Sequence, residues 1–292
     1  MIDPSFLDQL KELNLLLKRR VSSAYLGGRP SIQYGRGIEP VDHREYMHGD
    51  DFKLLDWKLY GRTERLYIRR FEEEKSMVLR LMLDSSASMN FQSDGVRKFD
   101  YAGSIVAGFG YLSVHANEKF ATALFSDKLR DIVEPNKSKK HLFNTIDLMN
   151  ETTLEGNTDL STCANRYAKT IKSKSFSVII SDFLEPMESI KDGIYRMAKV
   201  SKELMAIQIL DPGELNLKWT EDIKFQDLET NEMTRSYMSP KFKREYKDRV
   251  EEHITDIQKV CNEIGVVFRL ITTDTPIIDA FVDLLGGLER GK

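Results

Sequence analysis

Apolar and polar residues follow two rhythms along this chain, and their succession predicts its architecture. Continuous apolar runs of strand length occur at Met77–Leu83, Phe120–Phe125, Ser175–Ile180, Leu204–Leu210 and Val266–Ile271. Between them lie longer stretches with apolar residues three or four apart, the spacing of an amphipathic helix. These are Val96–His115, Ser138–Asn150, Leu160–Lys172, Ser189–Lys199, Pro240–Ile264 and Thr275–Leu288. In Ser138–Asn150 the residues Leu142, Phe143, Ile146 and Met149 share a face. In Thr275–Leu288, Pro276 falls in the first turn, where its missing N–H costs little. Strands that are apolar on both faces, alternating with helices, predict a doubly wound α/β domain with a mostly parallel sheet covered on both sides. Leu129–Val133 follows the turn at Asp127–Lys128 and is expected to pair back antiparallel at an edge. Ile223–Leu228 and Met233–Met238 flank Glu229–Glu232 as a hairpin.

The residues before Met77 keep neither rhythm for long. Phe6–Val21 reads as one amphipathic helix, with Leu7, Leu10 and Leu17 on a common face. Four glycines and Pro30 make Gly27–Gly37 a loop. The charged and aromatic stretch that follows offers only short elements, Leu54–Leu59 and Leu66–Phe71, with Trp57 expected to be buried and Gly49–Asp51 expected to form a turn. An N-terminal extension, residues 1–76, thus precedes a main domain, residues 77–292.

Composition narrows the class. At 292 residues the chain is long enough for one substantial core and a smaller module. A formal net charge of −3 gives no concentrated positive field, which argues against nucleic acid as a partner. No uncharged apolar stretch approaches the roughly 20 residues of a spanning helix, and the N-terminus has no signal-peptide core. Cys163 and Cys261 stand far apart, which fits a reduced, cytoplasmic setting.

Chemistry gathers where strands end. The run Met77–Leu83 delivers Asp84, followed by Ser85, Ser86 and Ser88. Thr158 and Asp159 stand just before the helix at Leu160, and Ser181 and Asp182 close the strand Ser175–Ile180. In a doubly wound sheet, loops at the carboxyl ends of the strands converge. Asp84, Ser86, Ser88, Thr158 and Asp182 would then offer oxygen donors only, a set that suits Mg²⁺ or Mn²⁺ rather than zinc or copper. The competing reading of the same residues is plain helix capping and strand termination. His43 and His48 lie near Glu45, Asp50 and Asp51, but no metal-ligand spacing fits them, and they read as a solvated loop. Cys163 has no histidine near it to activate a thiolate, so it reads as a core residue.

The pattern Asp84-x-Ser86-x-Ser88 after a strand, Thr158 before a helix and Asp182 after another strand resembles the metal-ion-dependent adhesion site of von Willebrand factor A-like domains. The resemblance implies a Rossmann-type fold in which the hydroxyls of Ser86, Ser88 and Thr158 hold the ion, while Asp84 and Asp182 act partly through water. Phe183 departs from it, since many A-domains carry glycine after that aspartate. A second resemblance rests on Gly35–Glu39, Arg44–Tyr46, Gly49–Asp51, Leu55–Trp57, Phe71–Glu74 and Asp211–Glu214. In this order they are similar to the bacterial family called domain of unknown function fifty-eight. Its members are commonly linked to MoxR-type AAA+ ATPases, and some carry membrane helices that this chain lacks.

The expected function is a metal-dependent protein-interaction module, an adaptor or co-chaperone. A carboxylate of the ATPase, or of its client protein, would complete the ion's shell. No catalytic role is expected. The rival is a Mg²⁺-dependent phosphatase or phosphotransferase with Asp84 as nucleophile. It is weakened by Ser86 where a second aspartate would help, and by having only Lys174 and Lys191 as positional candidates for a charge-stabilising lysine.

Overall fold

The structure, a computed structural model, describes residues 40–71, 77–93, 95–173, 175–215, 222–226, 233–237 and 240–286. The helix expected at Phe6–Val21 and the loop at Gly27–Gly37 lie outside the described residues. Backbone contacts divide the chain into two compact units, one within Gly27–Ser76 and one containing everything from Met77 on.

The small unit is built from β1 (Pro40–Glu45), α1 (Trp57–Thr63) and β2 (Tyr67–Phe71), with β1 and β2 antiparallel. The stretch Leu54–Leu59 proves to be the end of a 3-10 turn and the start of α1. Asp56 caps that helix, its Oδ1 accepting from the N–H groups of Lys58 and Leu59 at 3.0 Å each. Trp57 corrects an expectation, for it is 64% exposed. A two-stranded ribbon with one short helix has little interior, and Leu55 and Ile68, bridged to each other, occupy it. The turn at Gly49–Asp51 forms around Asp50, whose Oδ1 takes Arg44 at 2.6 Å and whose Oδ2 accepts from Met47 N at 2.8 Å. Gly49 adopts φ +106, a conformation open to glycine at no steric cost. His43 is paired with Asp56 at 2.9 Å.

The large unit carries a six-stranded sheet. In chain order its elements are β3 (Val78–Asp84), α2 (Lys98–His115), β4 (Lys119–Phe125), β5 (Leu129–Asn136), α3 (Lys139–Glu151), α4 (Leu160–Ala168), β6 (Ser175–Ser181), α5 (Met187–Val200), β7 (Ser201–Leu210) and α6 (Pro212–Leu215). The antiparallel pair β8 (Asp222–Gln226) and β9 (Met233–Tyr237) forms the expected hairpin ladder, and α7 (Pro240–Ile264), β10 (Val267–Thr272) and α8 (Ile277–Gly286) close the chain. The sheet order is β10-β7-β6-β3-β4-β5. Every neighbouring pair is parallel except β4 with β5, so the edge strand is antiparallel as its turn demanded.

Both sheet faces are covered, which is why the central strands β3, β4, β6 and β7 are largely apolar on both faces, while the edge strand β5 is not. Along β3, Leu79, Leu81 and Leu83 enter a core with Ile105, Phe109 and Phe281 from α2 and α8. Met82, on the opposite face, enters a second core with Leu160, Tyr167, Ile190 and Ile257 from α4, α5 and α7. Helices α4 and α5 approach closely because residue 193 is glycine: a Cβ there would sit 2.5 Å from Leu160 Cγ. The chain leaves β3 toward β4 and β5 on one side, then returns to place β6 on the other. The connection therefore reverses direction between β3 and β6, and the carboxyl ends of strands at such a reversal are where folds of this kind bind ligands.

Candidate functional site at the strand ends

Asp84 ends β3 and Ser181 ends β6, so the direction reversal puts the first and third predicted loops side by side. The second loop reaches them through backbone ties. Ala87 N donates to Gly156 O at 3.0 Å, and Asp159 N donates to Ser126 O at 3.0 Å. Arg130 grips the same loop from β5, donating to Thr153 O at 3.1 Å and Glu155 O at 2.8 Å. Asp159 then caps α4, accepting from Thr162 N at 2.9 Å, which leaves Thr158 free of that duty.

Asp84 is fully buried and both its oxygens are engaged. Oδ1 accepts from Ser86 N at 2.9 Å. Oδ2 accepts from Ser181 Oγ at 2.5 Å and from Thr158 Oγ1 at 3.3 Å. Burial first, and the neighbouring Asp182 carboxylate second, push its pKa up to about 6. Ser86 Oγ and Ser88 Oγ stand 3.0 Å apart. That separation also matches the edge, about 3.0 Å, of an octahedron with Mg–O bonds of about 2.1 Å. Ser88 and Thr158 each keep 9% exposure, while Ser86, Asp84 and Asp182 are fully buried. Among the described residues no three His, Cys, Asp or Glu side chains group as a metal site, so the donor set here is dominated by hydroxyls. Hard, mostly neutral oxygens backed by two carboxylates fit a small divalent ion of the Mg²⁺ type.

Asp182 joins the cluster, but with a partner that the sequence did not suggest. Its Oδ2 accepts from the ammonium of Lys98 at 2.7 Å, and its Oδ1 accepts from Leu184 N at 3.2 Å. Lys98 also donates to Glu214 Oε1 at 2.7 Å. Burial works against the ammonium, but Asp182 and Glu214 outweigh it and raise the pKa to about 12. A lysine between Arg97 and Phe99 at the start of an amphipathic pattern reads as a surface residue, and its two partners lie 84 and 116 positions away. The nearest signal was the stretch Asp211–Glu214, which the structure explains. Asp211 Oδ2 accepts from Ser93 N at 3.0 Å, Asp211 Oδ1 accepts from Gly213 N at 2.7 Å, and Ser93 Oγ also donates to Oδ1. A Cβ at Gly213 would lie 2.6 Å from Ser93 Cβ, so the loop after β7 closes onto the loop before α2 only with glycine there. Of the two lysines considered from sequence, Lys174 lies outside the described residues and Lys191 is exposed on α5.

Phe183, the departure after Asp182, adopts φ +53, left-handed backbone that favours glycine. Its ring is fully buried in the core against α4 and α5, and burial of a large aromatic offsets a steric cost of about 1–2 kcal/mol. The loop therefore takes a turn suited to glycine without having one. Glu185, two residues on, also escaped the sequence reading. Its Oε2 accepts from Leu160 N at 3.1 Å, its Oε1 is buried without a partner, and burial pushes its pKa up to about 7. Cys163 and Cys261 are buried and unbridged, with Cys163 raised to about 12 by burial, unsuited to nucleophilic work.

Comparisons with known proteins agree with this architecture. A family model, "Protein of unknown function DUF58", matches residues 42–256, more than half of the chain. An uncharacterized protein of Mycobacterium tuberculosis is 23% identical over 292 residues, covering 99% of this chain and 92% of the relative. Among solved structures, BatB from Bacteroides thetaiotaomicron superposes with a TM-score of 0.50 at 9% identity, covering 73% of this chain and 99% of that one. The SpRpn10 VWA domain covers 71% of this chain and 94% of that one at 11% identity, with a TM-score of 0.43. At such identity the likeness to BatB speaks for the fold alone, and that fold, among the described residues, is the doubly wound α/β sheet given above.

Proposed function

This chain belongs to the DUF58 protein family and shares the fold of BatB, and from that premise, with the resemblance of its strand-end residues to a von Willebrand A-like adhesion site, we propose that it is a protein-interaction module whose binding depends on a divalent ion, Mg²⁺ or Mn²⁺. The observation that carries the reading is the gathering of three hydroxyls beside buried Asp84 at the direction reversal, with Ser86 Oγ 3.0 Å from Ser88 Oγ, Thr158 Oγ1 3.3 Å from Asp84 Oδ2, and buried Asp182 following the end of the neighbouring strand. Ser86, Ser88 and Thr158 would hold the ion. Asp84 and Asp182 would hold the hydroxyl shell and its charge balance, since their oxygens are already engaged within the fold. When bound, the ion supplies a Lewis-acidic position for a carboxylate from outside. That carboxylate belongs to a MoxR-type AAA+ ATPase or its client, the partner implied by the family resemblance, and the module acts as adaptor or co-chaperone. The setting is cytoplasmic in this reading; two buried, unbridged thiols fit a reducing compartment. Among the described residues no helix is long and apolar enough to cross a membrane.

The module is not an enzyme in this reading. Lys98 provides the lysine that a phosphotransferase would need, but it is spent on Asp182 and Glu214. The carboxylate of Asp84 is wholly buried with both oxygens hydrogen-bonded, which leaves it no line of attack on a phosphoester.

Thermal unfolding of the purified chain tests the metal. Mn²⁺ at 100 times its dissociation constant contributes about 2.7 kcal/mol of apparent stability, so the melting temperature should rise with the ion and fall back with chelator. Ser86→Ala and Thr158→Ala should each blunt the rise. A melting temperature indifferent to millimolar Mg²⁺ and Mn²⁺ would overturn the reading.

A further inference from the structure

Lysine is among the side chains least often fully buried, and then only when paired. Lys98 is 0% exposed, and it lies directly against the candidate metal site. Its ammonium is shared between Asp182 Oδ2 and Glu214 Oε1, each at 2.7 Å, and it lies 5.8 Å from the Phe91 ring centroid. Asp182 is thereby satisfied on both oxygens, and Glu214 is tied on its other oxygen to Asp211 N at 2.8 Å. The triad is therefore a largely buried network in which one ammonium is shared by two carboxylates, with Glu214 on its more exposed side. A divalent ion arriving at Ser86, Ser88 and Thr158 meets neutral donors in front and a fixed ammonium behind Asp182.

We propose that Lys98 is the built-in counter-cation of this site: it keeps Asp182 out of direct coordination and holds the affinity of the free chain for a divalent ion low but measurable, and a partner's carboxylate then tightens the ion by adding the missing negative charge. This rests on the metal-dependent reading of the site. Glu214 sets how strongly the lysine acts. While Glu214 shares the ammonium, Asp182 keeps part of its charge for the ion. Without Glu214, the ammonium falls wholly on Asp182. Lys98 is thus a positioning residue that acts on the ion through Asp182, and it makes the capture of metal and partner a joint event.

The two halves of the triad should move metal affinity in opposite directions, which a merely structural role would not do. The measurement is Mn²⁺ titration of the full chain by calorimetry, with the signal of free Mn²⁺ followed by electron paramagnetic resonance, at one pH and ionic strength. Glu214→Gln should bind Mn²⁺ about three- to tenfold more weakly than wild type, because a negative charge is lost and the ammonium is concentrated on Asp182. Lys98→Met combined with Glu214→Gln should bind about tenfold more tightly than Glu214→Gln alone, since Asp182 is released to the ion. The lysine change by itself leaves two buried carboxylates unpaired and threatens folding. The double variant, which removes one charge of each sign, therefore carries the test, with its fold checked by circular dichroism. A folded double variant that binds no more tightly than Glu214→Gln overturns the role of Lys98 and leaves the metal reading standing. Wild type that takes up no Mn²⁺ overturns the metal reading and the role of Lys98 together.

Discussion

At the scale of single residues, Phe183 is the most informative departure. Left-handed backbone at a bulky residue is costly, and the fold tolerates it because the ring fills a fully buried place between α4 and α5. Phe183→Gly would relieve about 1 kcal/mol of strain and remove a burial typically worth 3–5 kcal/mol. Chemical denaturation should show a net loss of about 2–4 kcal/mol. A glycine variant as stable as wild type would mean that the ring contributes nothing to holding the Asp182 loop. What the sequence made legible was position: Asp84, Ser86, Ser88 and Asp182 follow apolar runs and Thr158 precedes a helix, and the structure brings the loops that carry them to neighbouring strand ends. Lys98 and Glu185 were not legible. Their meaning comes from partners far along the chain, and the pattern of neighbours that predicts exposure for a lysine or a glutamate carries no trace of a buried ion pair.

Among secondary-structure elements, the doubly buried strands were the clearest feature, since only a strand covered on both faces can be apolar at every position. The edge strand β5 was recognised from its turn, although it continues to Asn136 rather than stopping at Val133. The helix expected from Leu160 ends at Ala168, before Lys172. The strand β1 went unrecognised because Asp42, His43, Arg44 and Glu45 break any apolar alternation in an exposed two-stranded ribbon. How α4 meets α5 also escaped the sequence, although the contact decides where Thr158 lies. Glu185 is part of that contact, accepting from the first N–H of α4. Burial raises its pKa to about 7, so the folded protein binds more protons than the unfolded chain between about pH 4.5 and 7. Its stabilising contribution is therefore fully present below the unfolded pKa and is lost as pH rises through the folded one. Glu185→Gln removes that loss. Relative to wild type, the variant should gain stability between pH 5 and pH 8, by at most about 3 kcal/mol. Urea melts at the two pH values measure it, and the offset at pH 5 reports the separate cost of burying the amide. An unchanged difference across the two pH values would mean that Glu185 ionises freely in the folded state.

For the molecule as a whole, the metal-dependent reading predicts a coupled capture of ion and partner. Neutral hydroxyls cluster beside Asp84, both carboxylates are hydrogen-bonded within the fold, and an ammonium is paired with Asp182. Such a site is expected to bind a divalent ion weakly by itself and to close only around an incoming carboxylate. Capture of a MoxR-type AAA+ ATPase from the same genome should then require three things at once: the ion, the hydroxyl shell and an acidic residue on the partner. Surface-plasmon measurements with the ATPase immobilised should show binding in Mg²⁺ that chelator abolishes. Ser86→Ala and Thr158→Ala remove a donor without adding charge, and each should weaken capture by about tenfold or more, a cost of about 1.4 kcal/mol for each tenfold. The losses should appear mainly as faster dissociation, because a desolvated contact at the centre of an interface governs residence more than encounter. Binding that survives chelator and both substitutions at full strength would place the docking surface elsewhere on the chain, and the cluster at the strand ends would then serve only to hold three loops together.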